Sequence, residues 1–397
     1  MLDVHLIKFY FKKLLYERSD FMKKIKIVNI VSRMIFGGVE SVIFNYYSNM
    51  DLSKFDVTII TKNDSNPDAI KKFENLGFNI ILIDDWEKHP ISMSKIILNI
   101  FKKENFDILH CHLSHTNFYF LILGKLAKIP IRISHSHLSE KDTALKQKIK
   151  HGIYKKLIRK FSTLNIACGE DAGKNLYGER CDYLVLKNGI LLEKYSFNDS
   201  NRCEYRKMFN IKKDTICIGT VGRLTKQKNQ EFLIKIFNDL IINNDIDYKL
   251  IIVGSGEEKD KLIKLSEKLK IDDKILFLEN RTDVDKIMQM FDIFILTSLY
   301  EGLPVVGIEA QASDLPCVFS DTIDSRIKIS EKVFLINLLR PKSEWVSLIN
   351  KIASEHYKRE NNIKLLTDNG YNIKNEAFKL QKIYENEYEE IKKWKRG

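Results

Sequence analysis

Glu301 and Glu309 stand eight positions apart in EGLPVVGIEAQ, with a glycine, a proline and an apolar run between them. The strand-like FDIFILTS delivers Glu301 on a loop, and Pro304 suits the first turn of a helix that carries Glu309 on its second turn. Two carboxylates so placed can accept hydrogen bonds from vicinal hydroxyls, which makes a sugar or a ribose a natural guest. Backbone N–H groups from Leu303 to Val306 would turn the positive end of the helix toward the same space. The plainer reading of the same residues is one helix-capping glutamate and one surface glutamate.

Cations occur at a similar junction. In GTVGRLTKQKNQEFL, Arg223 follows a strand and Lys228 lies five residues on, before a helix. An arginine fork and a lysine point charge together could clamp a diphosphate, although a solvated basic loop has the same composition. Gly37 and Gly38, in RMIFGGVESVIF, open another helix N-terminus, fit either for an anion or for a tight turn. Gly254-Ser255-Gly256 ends the strand YKLIIVGSG and would let a ligand approach the backbone. The full G-x-G-x-x-G spacing is missing, so no dinucleotide fingerprint is present. Five of the nine histidines fall between positions 110 and 137, in HCH (His110, His112), at His115, and in HSH (His135, His137). Alternate strand residues share a face, so each pair could chelate a metal. With no Asp or Cys cluster beside them, neutral polar site residues and packed core histidines are the better-supported readings.

The elements that must position these groups alternate between short β-branched runs and longer helical stretches, the pattern of parallel sheets covered by helices. IKIVNIVS, FDVTIITK, FNIILID, DILHCH, IRISHSH, LNIACG and DYLVLKN form a first series. ICIGTVGRL, YKLIIVGSG, KILFLEN, FDIFILTS and PCVFSDT form a second, and the polar stretch from Asn188 to about Lys213 separates them. Two Rossmann-like α/β domains are expected, at residues 22–190 and 191–370, with ligands outside the carboxyl ends of their strands. Residues 371–397 read as a C-terminal helix. Residues 1–21 are an extension before Met22, where MKKIKIVNIVS reads as a complete first strand; a mistaken start or a dispensable basic amphipathic helix would explain them.

Composition narrows the function classes. At 397 residues with 44% hydrophobic side chains, the chain exceeds one core and is not a disordered segment. Six scattered cysteines without a Cys-x-x-Cys pair suit free thiols rather than a disulfide frame or zinc finger. No apolar run reaches the length of a membrane span. The net charge of +12 directs attention to nucleic acid or anionic lipid. Lysines interleaved with aromatics on one face, or a known reader module, would favour nucleic acid, and neither is found. Between positions 141 and 160, eight basic residues oppose one acid, Asp142, around an apolar stripe of Leu145, Ile149, Ile153, Leu157 and Phe161. The stripe suits a helix packed on the sheet with solvated lysines outside. So one-sided a charge favours an anionic membrane surface.

In order along the chain, GGVE, KNGI, GRLTKQKN, VGSGE and EGLPVVGIEAQASDLPCV resemble the retaining glycosyltransferases of family 4, whose GT-B fold faces two Rossmann-like domains across a cleft and returns a C-terminal helix to the first domain. The resemblance runs from Met22 onward. SHSH, KQKNQEFLIKIF and EAQASDLPCV look most like the branch that builds exopolysaccharide and capsule. It implies a nucleotide-sugar donor, of UDP type, and a glycan or polyprenyl-linked acceptor. It further implies no cofactor, no metal, no nucleic-acid partner, and a cytoplasmic enzyme peripheral to the inner membrane face. Arg223 and Lys228 would then neutralise the leaving diphosphate, Glu309 would hold ribose hydroxyls, and Glu301 the hydroxyls of the donor sugar. Backbone from Gly302 through Leu303, Pro304 and Val305 would cradle sugar and phosphate. Gly37, Gly38 and Gly254 would border the donor, and Arg281, within ENRTD, its base. The family's sugar-contacting histidine matches His135, with His112 and His137 as rivals. Two positions depart from the family's pattern: Asn229 and Asp314 stand where many members carry glycine, which puts only local turn geometry in question. A sugar-nucleotide epimerase on the same fold is the alternative among enzymes, and a basic anion- or nucleic-acid-binding protein the alternative outside them.

Overall fold

Runs rich in isoleucine and valine form the strands. In the computed structural model, which describes residues 24–35, 38–137, 145–242, 246–279, 281–355 and 357–396, the first series forms one sheet. Its strands are β1 (Ile25–Ile30), β2 (Phe55–Lys62), β3 (Asn79–Ile83), β4 (Ile108–Cys111), β5 (Ile131–Ser136), β6 (Leu164–Ala167) and β7 (Leu184–Val185), in the order β3-β2-β1-β4-β5-β6-β7. A second sheet holds β8 (Ile216–Val221), β9 (Tyr248–Val253), β10 (Ile275–Leu278), β11 (Ile293–Leu296), β12 (Cys317–Ser320) and β13 (Val333–Ile336), in the order β10-β9-β8-β11-β12-β13. The strands pair in parallel throughout, with Ile27 of β1, for example, set between Val57 and Ile108. In both sheets the strand order reverses beside the first strand of the series, between β1 and β4 and between β8 and β11. Ligands of such sheets bind at the carboxyl ends flanking that reversal.

Described residues up to Lys187, with those from Ala377 onward, make one compact unit, and Asn188–Glu376 make the other. Each is a Rossmann-like α/β domain. In the second, Leu250, Ile252, Ile293 and Ile295 pack on one face of the sheet against Phe237 and Trp345. Ile251, Val253, Phe294 and Leu296 pack on the other against Phe291 and Ile308. Burial on both faces is why these strands read as unbroken apolar runs rather than as alternations. The short β13 sits at the sheet edge and was not among the strands read from sequence. Its VFLI is four residues long and lies between lysine-bearing segments, too little to separate from a helix fragment.

The C-terminal helix spans Ile373–Arg396. Ile373, Ala377, Leu380, Tyr384 and Tyr388 recur on one buried stripe, and from Ala377 the helix belongs to the first unit. The two departures from the family pattern occupy left-handed turns, Asn229 at φ 54° and Asp314 at φ 53°. Asn and Asp visit that region more readily than other residues with a side chain. Here Asn229 Nδ2 donates to the Thr297 carbonyl at 3.1 Å, while Asp314 accepts from Lys332 Nζ at 2.7 Å and Asn362 Nδ2 at 2.7 Å.

The basic helix spans Leu145–Phe161 and differs from a packed amphipathic stripe. Ile158, off the stripe, is buried, whereas Ile149 and Ile153 are 62% and 55% exposed. A four-residue repeat drifts around a helix of 3.6 residues per turn, so its members cannot all share one buried face.

Gly254 shows how closely the strand ends approach. Its φ is +141°, and a Cβ there would lie 2.0 Å from the Gly222 carbonyl oxygen, so the β8 and β9 loops need glycine for their own packing. Gly254→Ala should destabilise the protein by roughly 1–3 kcal/mol, the range of an overpacked core position. Denaturant titration checks this, and an unchanged midpoint would show that the two loops have room to part.

Candidate active site

In the second unit the carboxyl edge of the sheet gathers most of the residues singled out from sequence. Arg223 and Lys228 lie on the loop after β8, Gly254 follows β9, Arg281 follows β10, and Glu301 and Gly302 follow β11. The β8 and β11 loops flank the order reversal and are tied together: Leu299 N–H donates to the Gln227 carbonyl at 2.8 Å, Gln227 Nε2 to the Tyr300 carbonyl at 2.9 Å, and Thr297 Oγ1 to the Asn229 carbonyl at 2.9 Å.

Lys228 and Glu301 meet directly. Lys228 Nζ lies 2.6 Å from Glu301 Oε2, with side chains 15% and 8% exposed, and Ser298 Oγ donates to the other carboxylate oxygen. Arg223 by contrast is exposed, and no acidic side chain pairs with it among the described residues. A buried cation held by one carboxylate beside a free guanidinium leaves net positive charge at this edge. An incoming anion could compete with the carboxylate for the lysine, at the cost of leaving that carboxylate without its cation unless a new donor reaches it.

Pro304 caps the helix Val305–Ala312, whose first N–H groups open on the same edge as Leu303 and Val305. Glu309 lies on its second turn, where Tyr195 O–H donates to Oε1 at 2.8 Å. Burial pushes the Glu309 carboxyl up to about 7, and the Tyr195 bond and Lys194 only partly oppose that. Neither reading of Glu309 from sequence includes Tyr195, which lies within the polar stretch that separates the two series of strands. Arg281 is engaged with its own loop: Nε and a terminal nitrogen bind Asp283 at 2.8 and 2.5 Å, and Tyr205 O–H donates to the same carboxylate at 2.5 Å.

The first unit holds a separate polar cluster at the carboxyl ends of β1, β4 and β5. His110, His112 and His135 are buried, and their nitrogens approach within 4.8 Å of one another. Their protein partners are already specific. His110 Nδ1 lies 2.7 Å from Tyr384 Oη and its Nε2 3.2 Å from His135 Nδ1. His112 Nε2 lies 3.1 Å from Asn29 Oδ1 and its Nδ1 2.9 Å from His137 Nε2. A metal would have to break these bonds, since both nitrogens of His110 and of His112 are occupied. Burial, and then the neighbouring rings, hold His110, His112 and His135 well below the usual imidazole range, so the cluster is neutral. Gly38 opens the helix Gly38–Ser48 with free space around it, and Gly37 lies outside the described residues. Asn29, Tyr47 and Tyr384 escape motif reading. Asn29 was nonetheless signalled as the one amide in the apolar IKIVNI, and Tyr384 by its place on the C-terminal stripe.

Comparison with known proteins decides the family. Residues 36–193 match the model for Glycosyltransferase Family 4, and residues 201–364 that for Glycosyl transferases group 1. The chain is 30% identical to EpsF of Bacillus subtilis, named as a glycosyltransferase, over 369 residues that span 90% of this chain and 96% of the relative. The chain belongs to glycosyltransferase family 4. This family 4 enzyme is also 28% identical, over 91% of its length and 97% of the relative's, to an Escherichia coli UDP-Gal:α-D-GlcNAc-diphosphoundecaprenol α-1,3-galactosyltransferase. Its fold matches HepE of Anabaena, solved in complex with UDP, with a TM-score of 0.74, 16% identity and coverage of 92% of this chain and 100% of the other. The enzyme is thus a transferase of GT-B type, and the glycosyl-transferring class is no longer an inference from two glutamates.

The Lys228–Glu301 contact makes a direct prediction. Lys228→Ala leaves a buried carboxylate held only by Ser298 and should cost about 3 kcal/mol of stability. Lys228→Ala combined with Glu301→Ala should cost less than the single change. A double-mutant cycle by chemical denaturation in which the double loss equals the sum of the two single losses would show that the pair is not coupled.

Proposed function

We propose that this family 4 enzyme is a retaining, metal-independent transferase that moves a sugar from a UDP-sugar to a glycan or polyprenyl-linked acceptor in surface-polysaccharide synthesis. The observation that carries the reading is the buried Lys228–Glu301 pair beside the unpaired Arg223 at the carboxyl edge of the second sheet. A diphosphate arriving there would draw Lys228 Nζ from Glu301 and free that carboxylate for the hydroxyls of the sugar. Arg223 and Lys228 then stabilise the charge that grows on the diphosphate as the glycosidic bond breaks, the work a divalent cation does elsewhere. Glu309, supported by Tyr195, receives the ribose hydroxyls, and the N–H groups at Leu303 to Val305 face the sugar and phosphate. Arg281 and Gly254 border the base and the diphosphate, and in the first unit the N–H of Gly38, which opens a helix, suits an anion. His135 contacts a sugar, with His112 and His137 behind it. No carboxylate in this arrangement is assigned as a nucleophile: Glu301, once released by Lys228, is committed to the hydroxyls of the sugar and still bonded by Ser298. Departure of the diphosphate and attack of the acceptor hydroxyl on one face, through an oxocarbenium-like state, accounts for retention without a covalent intermediate. The UDP-Gal donor and diphosphoundecaprenol acceptor named for the E. coli relative, and the UDP bound by HepE, support the donor and acceptor classes.

Release of UDP from a panel of UDP-sugars tests this reading. Turnover should survive EDTA, and Lys228→Ala should lower it roughly 10²–10³-fold while weakening donor binding less. Glu309→Ala should chiefly weaken UDP binding, and Glu301→Ala chiefly turnover. Loss of activity in EDTA with rescue by a divalent cation, or the reverse split between the two glutamates, would overturn the assignment.

The basic helix supports attachment at the inner membrane face. Lys150, Lys156, Arg159 and Lys160 are exposed on Leu145–Phe161 around the exposed Ile149 and Ile153, an arrangement fit for an anionic interface. No helix among the described residues is long and apolar enough to cross a membrane. Each lysine near such a surface is worth on the order of 1 kcal/mol. Vesicle co-sedimentation should therefore require anionic lipid, fade with salt, and fall when Lys155, Lys156 and Lys160 become Glu. Equal binding to neutral vesicles, or none to either, would leave the helix as an ordinary solvated surface.

A further inference from the structure

The histidine cluster contains a hydrogen-bond chain with a direction. Asn29 Nδ2 donates to Tyr47 Oη at 2.8 Å, and Tyr47 Oη lies 3.1 Å from Tyr384 Oη. Tyr384 Oη lies 2.7 Å from His110 Nδ1, and His110 Nε2 lies 3.2 Å from His135 Nδ1. His135 Nε2 ends the series: it is buried and has no hydrogen-bond partner among the described residues. It belongs to a small pocket lined also by Val42, Ile43, Tyr46 and Leu380.

Each link admits one proton, so the direction of one fixes all that follow. A phenol is a far stronger donor than a neutral imidazole N–H, and an imidazole nitrogen is a better acceptor than a phenolic oxygen. The short Tyr384–His110 contact therefore runs from hydroxyl to Nδ1. His110 must then carry its proton on Nε2 and donate to His135 Nδ1, which leaves the His135 proton on Nε2. Tyr47 agrees with this sense. Its oxygen accepts from Asn29 Nδ2, and its own proton has two acceptors in reach, Tyr384 Oη at 3.1 Å and Asn29 Oδ1 at 3.2 Å; neither choice takes the Tyr384 proton from the shorter contact to His110. Burial keeps the rings uncharged and the Tyr47 and Tyr384 hydroxyls protonated, so the chain persists at neutral pH.

We propose that Tyr384, on the C-terminal helix, acts through His110 to lock His135 as the Nε2–H tautomer, making it a fixed donor to a sugar oxygen rather than a proton acceptor. A buried donor left without a partner is costly, and a ligand oxygen in the pocket would satisfy it. Tyr384 and His110 are thus positioning residues. The inference rests on the proposed sugar contact of His135 and adds what that contact can do: with its lone pair committed to His110, His135 cannot take the proton of the attacking hydroxyl. That proton must go to another base, and the oxygen of the departing diphosphate is the chemically suited one.

Long-range ¹⁵N–¹H spectra of enzyme labelled in its histidines read the tautomer directly, without substrate. In the wild type His135 should show Nε2–H and a bare Nδ1. Tyr384→Phe keeps the ring, which stacks on Tyr47 at 6.4 Å and meets Phe55 at 5.9 Å, and removes only the hydroxyl. In that variant His135 should become a mixture of tautomers, with kcat for UDP-sugar turnover about tenfold lower and UDP affinity unchanged. Tyr47→Phe is the control, because Tyr384 can still donate to His110 and the His135 tautomer should hold. A wild-type His135 protonated on Nδ1, or a Tyr384→Phe enzyme whose His135 stays wholly Nε2–H, would overturn the proton chain. A tautomer shift with unchanged kcat would overturn the sugar contact. If the wild type turns over no UDP-sugar at all, the transferase reading fails, and the spectra still decide the chain.

Discussion

Parallel pairing is the constraint from which the rest of the structure follows. A strand that must run parallel to its neighbour cannot return by a tight turn, so each connection crosses a face of the sheet through a helix. All strand-to-helix loops then leave from one edge, and residues far apart in sequence are delivered to the same side. Lys228 after β8 and Glu301 after β11 are 73 positions apart yet 2.6 Å apart in space, because β8 and β11 are neighbours in the sheet. The same constraint brings Asn29 of β1, His110 and His112 of the β4 segment and His135 of β5 together in the first unit.

These two edges have opposite electrostatic characters. In the second unit charge is retained under cover: a lysine and a carboxylate share a buried contact, and the exposed Arg223 of the same loop has no acidic partner among the described residues. Such an edge can receive an anion by exchanging partners. In the first unit charge is excluded, since burial suppresses protonation of the histidines and ionisation of Tyr47 and Tyr384. What that edge retains is orientation, which each O–H or N–H imposes on the next. A neutral, oriented cluster suits discrimination among hydroxyl groups, as a charged edge suits phosphate.

How much of this the sequence disclosed depended on whether the signal was local. Strand cores were legible because burial on both faces forces continuous apolar runs, while β13, at an edge and four residues long, left no such mark. Arg223, Lys228, Glu301 and Glu309 were legible as types at strand-to-helix junctions. That Lys228 and Glu301 bind each other was not, because it depends on which strands are neighbours. Tyr195 and Tyr384 were missed for the same reason: each reaches its partner from an element distant in sequence, Tyr195 across 114 positions to Glu309 and Tyr384 across 274 to His110. At the glycine departures Asn229 and Asp314 keep the left-handed turns, and their side chains bond to residues distant in sequence, Thr297 and Asn362. The basic helix shows a local signal failing, because a four-residue repeat suggested one buried stripe, whereas Ile149 and Ile153 on that stripe are exposed and the buried Ile158 lies off it.

The C-terminal helix links these strands of argument. Its apolar stripe needs a hydrophobic surface, and from Ala377 onward it is the first unit that supplies one. Leucine or phenylalanine at position 384 would serve that packing as well as tyrosine, since the ring is fully buried against Tyr47 and Phe55. A hydroxyl in such a place carries a desolvation cost that packing does not require. It is compensated by the bonds to His110 and Tyr47, and through His110 it reaches His135, whose buried Nε2 has no hydrogen-bond partner among the described residues. The position is therefore explained by the polar chain and not by the core. The last helix of the sequence, which carries no recognisable motif, accordingly determines the chemical character of a histidine in the most motif-like part of the first unit.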